Sequence, residues 1–261
     1  MEQNLLESEP LPGIVQLILN RPAARNALDA GLIGALSAAV ARHGERKETR
    51  VIVLRASGTA FCAGADLTAM LTLGRGPHDA NVADAETLAA LLLAVRHCPK
   101  PTVAAVQGPA FGGGVGLAAA CDVAVGGEEA LFRLPEVRLG IVPAIISPYV
   151  VEAIGLRQAR RYCLSGETIP AARARELGLL HEVVPGPMLG GEVLRIATEL
   201  AAGGPGALAN CKQLLAEVAG HGPGEVLGRA LAIRLAKLRA GEEAQDGLAA
   251  ALARRSPGWV A

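Results

Sequence analysis

Two short loops made almost wholly of small residues constrain this chain more than any other feature. The first covers residues 61–67 (FCAGADL) and the second covers residues 108–114 (GPAFGGG); each follows a strand-like apolar run and opens a helix-like segment. The first amides of a helix have no partner inside it, and small side chains let a ligand lie against the backbone. The loops therefore indicate a site for a negatively charged oxygen, with close helix–strand packing as the alternative.

Strand-like and helix-like segments alternate along the first half of the chain. Strands are predicted at residues 14–19, 51–54, 102–106 and 123–125, and helices at residues 28–42, 86–95 and 115–120. This alternation predicts an α/β fold with largely parallel strands. From residue 188 onwards the spacing is almost only helical. We therefore divide the chain into a core, residues 1–190, and a helical docking region, residues 191–261.

Composition argues against several classes of partner. Lys plus Arg and Asp plus Glu are balanced at 25 each, and no basic tract exists that would bind nucleic acid or a membrane surface. The N-terminus has no signal-peptide pattern and no long uninterrupted apolar run occurs, so we expect a soluble cytoplasmic protein. The five cysteines form no C-x-x-C pair and the five histidines lack ligand spacing. We therefore expect reduced thiols and no bound metal.

The two loops, together with further stretches in matching order and spacing, resemble the crotonase (enoyl-CoA hydratase/isomerase) family. The further stretches are residues 21–28 (RPAARNAL), 121–123 (CDV) and 135–140 (PEVRLG). The resemblance implies a crotonase-like spiral of β-β-α units, with a C-terminal helical region that forms a homotrimer or, by pairing of trimers, a hexamer. It also implies an acyl-CoA substrate, with coenzyme A as part of that substrate and no separate cofactor.

By the same resemblance, the backbone amides of Ala65 and Gly113 form an oxyanion hole for a thioester enolate, because preorganised N–H donors stabilise charge that develops on that oxygen. Arg25 matches a basic position near the CoA phosphates. The remaining expected contacts to substrate or CoA are Ala27, Ala63, Gly64, Asp66, Leu67, Gly112 and Gly116. From the residues alone, Asp66 is expected to cap a helix or support its loop.

Glu136 is the expected acid–base residue. It lies in an apolar stretch, which would raise the pKa of its carboxyl towards working pH. The resemblance matches it to one of the two catalytic glutamates of hydratases, whereas the position of the other glutamate holds Gly116. We expect Gly116 to leave room for a branched acyl chain with a distal carboxylate, which Arg138, Ser147 or Tyr149 would hold.

Residues 135–151 resemble the methylglutaconyl-CoA hydratases of leucine metabolism. The sequence thus predicts a hydro-lyase that interconverts 3-methylglutaconyl-CoA and 3-hydroxy-3-methylglutaryl-CoA, with a one-glutamate isomerase or decarboxylase as the alternative. Residues 114–119 also match G-x-G-x-x-A, which would suit a nicotinamide-dependent dehydrogenase. A non-catalytic CoA- or RNA-binding scaffold is a further class. Residues 74–83 are expected to be mobile and to border the acyl site.

Overall fold

A computed structural model describes residues 3–260, which form nine β-strands and ten α-helices. The strands are β1 (Leu5–Leu11), β2 (Ile14–Leu19), β3 (Val51–Ala56), β4 (Thr102–Val106), β5 (Ala110–Phe111), β6 (Val123–Gly127), β7 (Leu131–Arg133), β8 (Thr168–Pro170) and β9 (Glu182–Val184). The helices are α1 (Ala30–Glu45), α2 (Leu67–Gly74), α3 (His78–His97), α4 (Gly113–Ala120), α5 (Ser147–Ser165), α6 (Ala171–Leu177), α7 (Leu189–Ala201), α8 (Pro205–Val218), α9 (Glu225–Arg239) and α10 (Glu242–Ala253).

The strands form one large and one small sheet. In the large sheet the order is β1-β2-β3-β4-β6-β9; β1 is antiparallel to β2, and every later pair is parallel. The small sheet has the order β5-β7-β8. The predicted α/β fold, its parallel strands and the four predicted strands are confirmed, whereas the short strands of the small sheet had no recognisable pattern.

Both faces of the central strands β3 and β4 are largely buried, which explains why these strands are mostly apolar. Successive side chains of a strand point to opposite faces. Val51 and Val53 of β3 accordingly join a cluster with residues of α7, whereas Ile52 and Leu54 join the main core with residues of α1, α3 and α4. These helices hold the loops that follow the strands in fixed positions.

The C-terminal region is helical, as predicted, but its helices differ in how they pack. The predicted boundary at residue 190 falls within α7, which packs on the sheet through Leu189, Val193 and Ala197. Helices α8 and α9 contribute no buried side chain. The segment at residues 74–83, expected to be mobile, is helical from His78 onwards. Over residues 3–260, no helix is both long and apolar enough to cross a bilayer.

The partly buried carboxylate of Asp122 ties α8 to the sheet. The Thr102 amide and hydroxyl both donate to Asp122 Oδ2, over 2.7 and 2.9 Å. Lys212 Nζ of α8 lies 2.7 Å from the same oxygen and also donates to Lys100 O. Because Thr102 is fully buried, this carboxylate supplies an acceptor that water does not replace.

Replacing Asp122 with alanine should lower the free energy of unfolding by about 1–3 kcal/mol, because the buried Thr102 amide then has no acceptor. Lys212→Met should cost less, about 0–1 kcal/mol, because it removes a partly exposed ion pair while the Thr102 bonds persist. Urea denaturation of both variants measures the difference. Equal losses would contradict the assignment of Thr102 as the main partner.

Candidate active site

Backbone hydrogen bonds hold three segments side by side, each following the carboxyl end of one of the neighbouring strands β2, β3 and β4. Leu28 N–H donates to Gly64 O over 2.8 Å, and Asp66 N–H donates to Leu28 O over 3.0 Å. Phe111 N–H donates to Cys62 O over 2.9 Å. The structure thus brings the segment at residues 21–28 and the two glycine loops together, as their predicted roles require.

The amides of Ala65 and Gly113 are the two predicted oxyanion donors, and both line one cavity. Leu28 bonds only to the residues on either side of Ala65, so the Ala65 N–H is directed away from Leu28. Gly113 is the first residue of α4, where an amide has no acceptor within the helix. Among residues 3–260, neither N–H has a hydrogen-bond partner. Both donors are therefore available to a ligand.

Glycine at position 64 allows the two loops to approach each other. Gly64 has φ of +94°, which side chains disfavour. A Cβ atom there would lie 2.9 Å from Phe111 O and 3.7 Å from Gly113 N. A larger residue would therefore push the second loop, and with it the Gly113 amide, away from Ala65.

Arg21 fixes the first loop from its N-terminal side. Its guanidinium lies 3.0 Å from Asp29 Oδ2 and 3.6 Å from Asp66 Oδ2, and it donates to Ala27 O. Asp66 Oδ1 also accepts from Thr68 N–H at the start of α2. The prediction that Asp66 caps a helix is confirmed, and its carboxylate additionally holds Arg21.

Asn26 and Gln107 support the loops, and sequence reasoning missed both. Asn26 is fully buried; its Nδ2 donates to Ser57 O and Ala60 O, and its Oδ1 accepts from Arg21 N–H. Gln107 Nε2 donates to Ala60 O over 3.1 Å. Asparagine tolerates the left-handed backbone that position 26 adopts. The sequence alone does not show that position 26 needs a left-handed backbone, because that requirement depends on the conformation of the turn.

The cavity at the two amides has a volume of ≈ 320 Å³. Its walls come from both loops, from α2 and α3, and from the segment at residues 135–146. Among the described residues that line it, Glu136 alone has a polar side chain. Chemistry there depends on two backbone donors and one carboxyl group, with apolar surface around them.

The Glu136 carboxyl is held in this apolar wall without a counter-ion. Its Oε2 is buried and has no hydrogen-bond partner among the described residues. Its Oε1 approaches the second loop so closely that a Cβ at Gly112 would lie 2.9 Å away. Burial raises the pKa of Glu136 above its ordinary value, as predicted. An unpaired carboxyl group with a raised pKa is suited to accept and return a proton.

The position of the missing glutamate is filled. A Cβ atom at Gly116 would lie 2.4 Å from Ile146 Cγ2 and 3.3 Å from Leu92 Cδ1. Gly116 is buried in α4 and does not line the cavity, whereas Ile146 does. The expectation that Gly116 leaves room for a branched acyl chain is therefore wrong, because Ile146 occupies that room. The expected contact of Gly116 with substrate stays a prediction.

The residues expected to hold a distal carboxylate also lie elsewhere. Arg138 donates to Ser165 O, and Ser147 Oγ donates to Ala144 O. Tyr149 lies outside the cavity wall, near Arg96. None of the three lines the cavity, whose wall is built from neighbouring residues of the same segment with apolar side chains. Their contact with a distal carboxylate stays a prediction.

The expected CoA-contact residues cluster around the first loop. Ala63, Gly64, Leu67 and Gly112 line the cavity. Ala63 N–H donates to Arg25 O over 2.9 Å. Arg25 thus adjoins the loop, and its exposed side chain is available to an anion. Ala27 is buried behind the loop and supports it.

Gly114 and Gly116, the glycines of the possible dinucleotide motif at residues 114–119, allow close packing of α4 against its neighbours. A Cβ at Gly114 would lie 2.4 Å from Cys62 O, and Gly116 is covered by Ile146. No approach remains for a pyrophosphate, so the dehydrogenase alternative is rejected. Burial raises the pKa of Cys62 to about 12, which disfavours the thiolate form that a nucleophile requires. Among residues 3–260, no cluster of three or more His, Cys, Asp or Glu side chains could hold a metal ion.

Comparison with known proteins agrees with this geometry. The family model "Enoyl-CoA hydratase/isomerase" matches residues 10–260. The 2,3-dehydroadipyl-CoA hydratase of Escherichia coli is 36% identical over 248 residues, which cover 94% of each chain. An enoyl-CoA hydratase structure from Shewanella pealeana superposes with a TM-score of 0.94 at 35% identity, covering 98% of this chain and 96% of that one. Pseudomonas aeruginosa AtuE superposes with a TM-score of 0.92 at 34% identity, covering 99% and 100%.

The chain therefore belongs to the enoyl-CoA hydratase/isomerase (crotonase) family. It is an enzyme of the crotonase fold that acts on acyl-CoA thioesters. Family membership confirms the predicted fold class and the predicted lyase class, and it leaves the acyl group and the roles of individual residues to be assigned.

Placing glutamate at position 116 should destabilise the fold, because the new side chain overlaps Ile146. Overpacking of this kind costs about 1–3 kcal/mol. Ile146→Ala, which is itself destabilising, should recover part of the loss when combined with Gly116→Glu. A double-mutant cycle on unfolding free energy measures the coupling, which we expect to reach about 1 kcal/mol. Additive losses would show that the two positions do not compete for space.

Replacing Glu136 with glutamine should raise the melting temperature at pH 8. A raised folded-state pKa means that the wild-type carboxyl contributes stability below its unfolded pKa and loses that contribution as pH rises through the folded pKa. The gain in Glu136→Gln should therefore shrink as pH falls towards 4.5. Scanning fluorimetry across pH checks this, with the exposed Glu129→Gln as control. A gain that does not depend on pH would contradict a desolvated carboxylate.

Proposed function

We propose that this protein is a hydro-lyase that interconverts a 2-enoyl-CoA and its 3-hydroxyacyl-CoA through an enolate, with Glu136 as its one acid–base side chain. The observation that carries the proposal is that the partly buried Glu136 carboxyl, whose buried Oε2 has no hydrogen-bond partner among the described residues, lines the same cavity as two unpaired amides. The amides suit the thioester oxygen and the carboxyl suits the carbon next to it. A second proton-transfer group has no place at Gly116.

In this proposal the backbone supplies two hydrogen-bond donors. The Ala65 and Gly113 N–H groups would hold the thioester oxygen as negative charge develops on it. Removing one such donor costs about 2.7–4 kcal/mol in comparable sites. Because both donors are peptide groups fixed by the surrounding hydrogen bonds, little reorganisation is needed when the enolate forms.

One carboxyl group can balance the proton transfers. In the dehydration direction the Glu136 carboxylate would take the C2 proton, and the electron pair of that C–H bond would move into the enolate. The enolate then collapses to the C2–C3 double bond as the C3–O bond breaks. Glu136 returns its proton to the departing hydroxyl, which leaves as water. Its raised pKa suits both halves of this exchange.

For the acyl group we propose 3-methylglutaconyl-CoA, and the support is the sequence of residues 135–151. The lining of the cavity limits how the distal carboxylate of this acyl group can be bound. Among its described lining residues there is no cationic side chain, but Leu139 and Ile141 are about half exposed, at 51% and 41%. The cavity is therefore open on that side, where a distal carboxylate can stay hydrated without a protein partner.

A one-carboxylate isomerase is the second candidate. The apolar lining favours it, because the cavity offers no second polar side chain that could position a water molecule. An isomerase moves one proton from C4 to C2 or the reverse and requires no water. The two reactions share Glu136 and both amides, so only product analysis separates them.

The test is incubation in H₂¹⁸O with 3-methylglutaconyl-CoA, 3-methylcrotonyl-CoA and a 3-enoyl-CoA, followed by mass spectrometry. We expect ¹⁸O in a 3-hydroxyacyl product, and loss of about 10²- to 10⁴-fold in rate for Glu136→Gln. The two branched substrates differ only in the distal carboxylate. We expect their kcat/KM values to lie within about tenfold, because no cationic partner lines the cavity.

Each outcome assigns the reaction. Double-bond migration without ¹⁸O would replace the hydro-lyase by the isomerase, and release of CO₂ would indicate a decarboxylase. Retention of wild-type activity in Glu136→Gln would overturn both one-carboxylate candidates. The exposed Glu129→Gln serves again as the matched control, and it should keep full activity.

We also propose that the chain forms a homotrimer through its C-terminal helices. Helices α8 and α9 bury no side chain in one copy and expose apolar residues such as Leu215, Val226 and Ile233 at 61–89%. Exposed apolar surface of this kind is typical of interfaces. The mass in solution, measured by light scattering, distinguishes three copies from six and from one.

A further inference from the structure

The Glu136 carboxyl is carried by a very short element. Glu136–Leu139 forms a single turn of 3-10 helix between β7 and α5, which we name the Glu136 turn. None of the residues in this turn is buried, so its own side chains do not anchor it in the core. Short 3-10 turns also have poorer hydrogen-bond geometry than α-helices. The position of the carboxyl therefore depends on contacts between the Glu136 turn and neighbouring elements.

Two arginines, one on each side of Glu136, donate to the same helix end. Arg133 Nε donates to Gly166 O over 2.7 Å. Arg138 donates to Ser165 O through Nε and Nη2, over 3.2 and 3.0 Å. Arg133 lies in β7 just before the Glu136 turn, and Arg138 lies within the turn. The three hydrogen bonds therefore join the chain on both sides of Glu136 to the C-terminal end of α5.

The acceptors are backbone carbonyls at the end of α5. The last carbonyls of a helix have no N–H donor within it, and a positively charged donor at that end is favoured by the helix dipole. Gly166 ends α5 in the left-handed conformation, with φ of +57°. A Cβ atom there would lie 3.0 Å from Arg138 Nε and 3.3 Å from Leu134 O. Glycine at position 166 therefore lets the Glu136 turn approach α5 closely.

The two guanidinium groups hold the backbone around Glu136 without neutralising its charge. Among the described residues, neither arginine forms an ion pair with a carboxylate. Burial raises the pKa of Glu136, whereas a guanidinium beside its carboxyl would lower that pKa. The last turn of α5 also places the partly buried Cys163 near Glu136, because the pKa of its thiol is raised by burial and further by the charge of Glu136.

We propose that Arg133 and Arg138 are positioning residues that fix Glu136 through the C-terminal end of α5 and so keep its carboxyl in the apolar wall beside the two oxyanion amides. The proposal rests on the proposed role of Glu136 in proton transfer and extends it to the residues that hold this carboxyl in place. Accurate placement matters because a shift of about 1 Å at a reacting group can cost about a hundredfold in rate.

The first test measures the surroundings of Glu136 without substrate. The gain in melting temperature that Glu136→Gln produces at pH 8 is compared between the wild type and the double variant Arg133→Met/Arg138→Met. Releasing the Glu136 turn lets water reach the carboxyl, so the gain should fall to less than about half. Arg157→Met, on the exposed side of α5, is the matched control and should keep the full gain. If the double variant does not fold, each single variant gives the same comparison.

The second test is kinetic and uses 3-methylglutaconyl-CoA as substrate. In Arg133→Met and in Arg138→Met, kcat should fall about tenfold to a hundredfold while KM changes less than about threefold, because the oxyanion amides and the cavity lining are unchanged. Arg138→Lys should recover part of the loss, because an ammonium group can still donate one hydrogen bond to Ser165 O. Arg157→Met should keep wild-type values.

An unchanged stability gain in the arginine variants would overturn the proposal. So would a raised KM with unchanged kcat, which would make the two arginines binding residues, or equal losses in Arg138→Met and Arg157→Met. If the wild type does not turn over any acyl-CoA, the proposed function fails, whereas the stability measurement still decides whether the two arginines hold the carboxyl in the apolar wall.

Discussion

The site depends on two peptide N–H groups that the fold leaves without acceptors. Leu28 bonds to Gly64 and Asp66 and so turns the intervening Ala65 amide outwards, while Gly113 begins α4. Unpaired buried amides are costly, and most proteins avoid them. Here Gly113 is buried and Ala65 is partly buried, and a ligand oxygen can supply the acceptor that both N–H groups lack. The surrounding bonds of Asn26 and Arg21 hold the first loop, which carries the Ala65 donor, in a fixed position.

The glycines of the second loop serve different purposes, although they look alike in sequence. Gly112 allows the Glu136 carboxyl to approach the backbone, and Gly114 allows α4 to pack on Cys62. Gly116 accommodates Ile146, so the residue that replaces a catalytic carboxylate is part of an apolar contact. Side chains at positions 116 and 146 would therefore compete for the same space. A carboxylate at position 116 would have neither space nor polar neighbours.

Glu136 shows how function and stability compete in this fold. A buried carboxyl without a partner disfavours the charged form, and the same desolvation brings its pKa closer to the range useful for proton transfer. A counter-ion would stabilise the folded chain and lower that pKa. The apolar cavity around Glu136 thus raises the pKa of its carboxyl and lowers the stability of the folded chain where that carboxyl is ionised.

The sequence by itself determined the strands, the helical C-terminal region and the two loops, because periodicity and small residues are local properties. Family resemblance, carried by residues 61–67, 109–114 and 135–140, was enough to point to Ala65, Gly113 and Glu136. The tertiary structure decided what local pattern does not contain. Ile146 lies thirty residues after Gly116 and fills its space, and Arg138, Ser147 and Tyr149 turn away from the cavity. Such facts depend on which side chains meet after the chain has folded, and contacts between distant residues leave no periodic trace in one sequence.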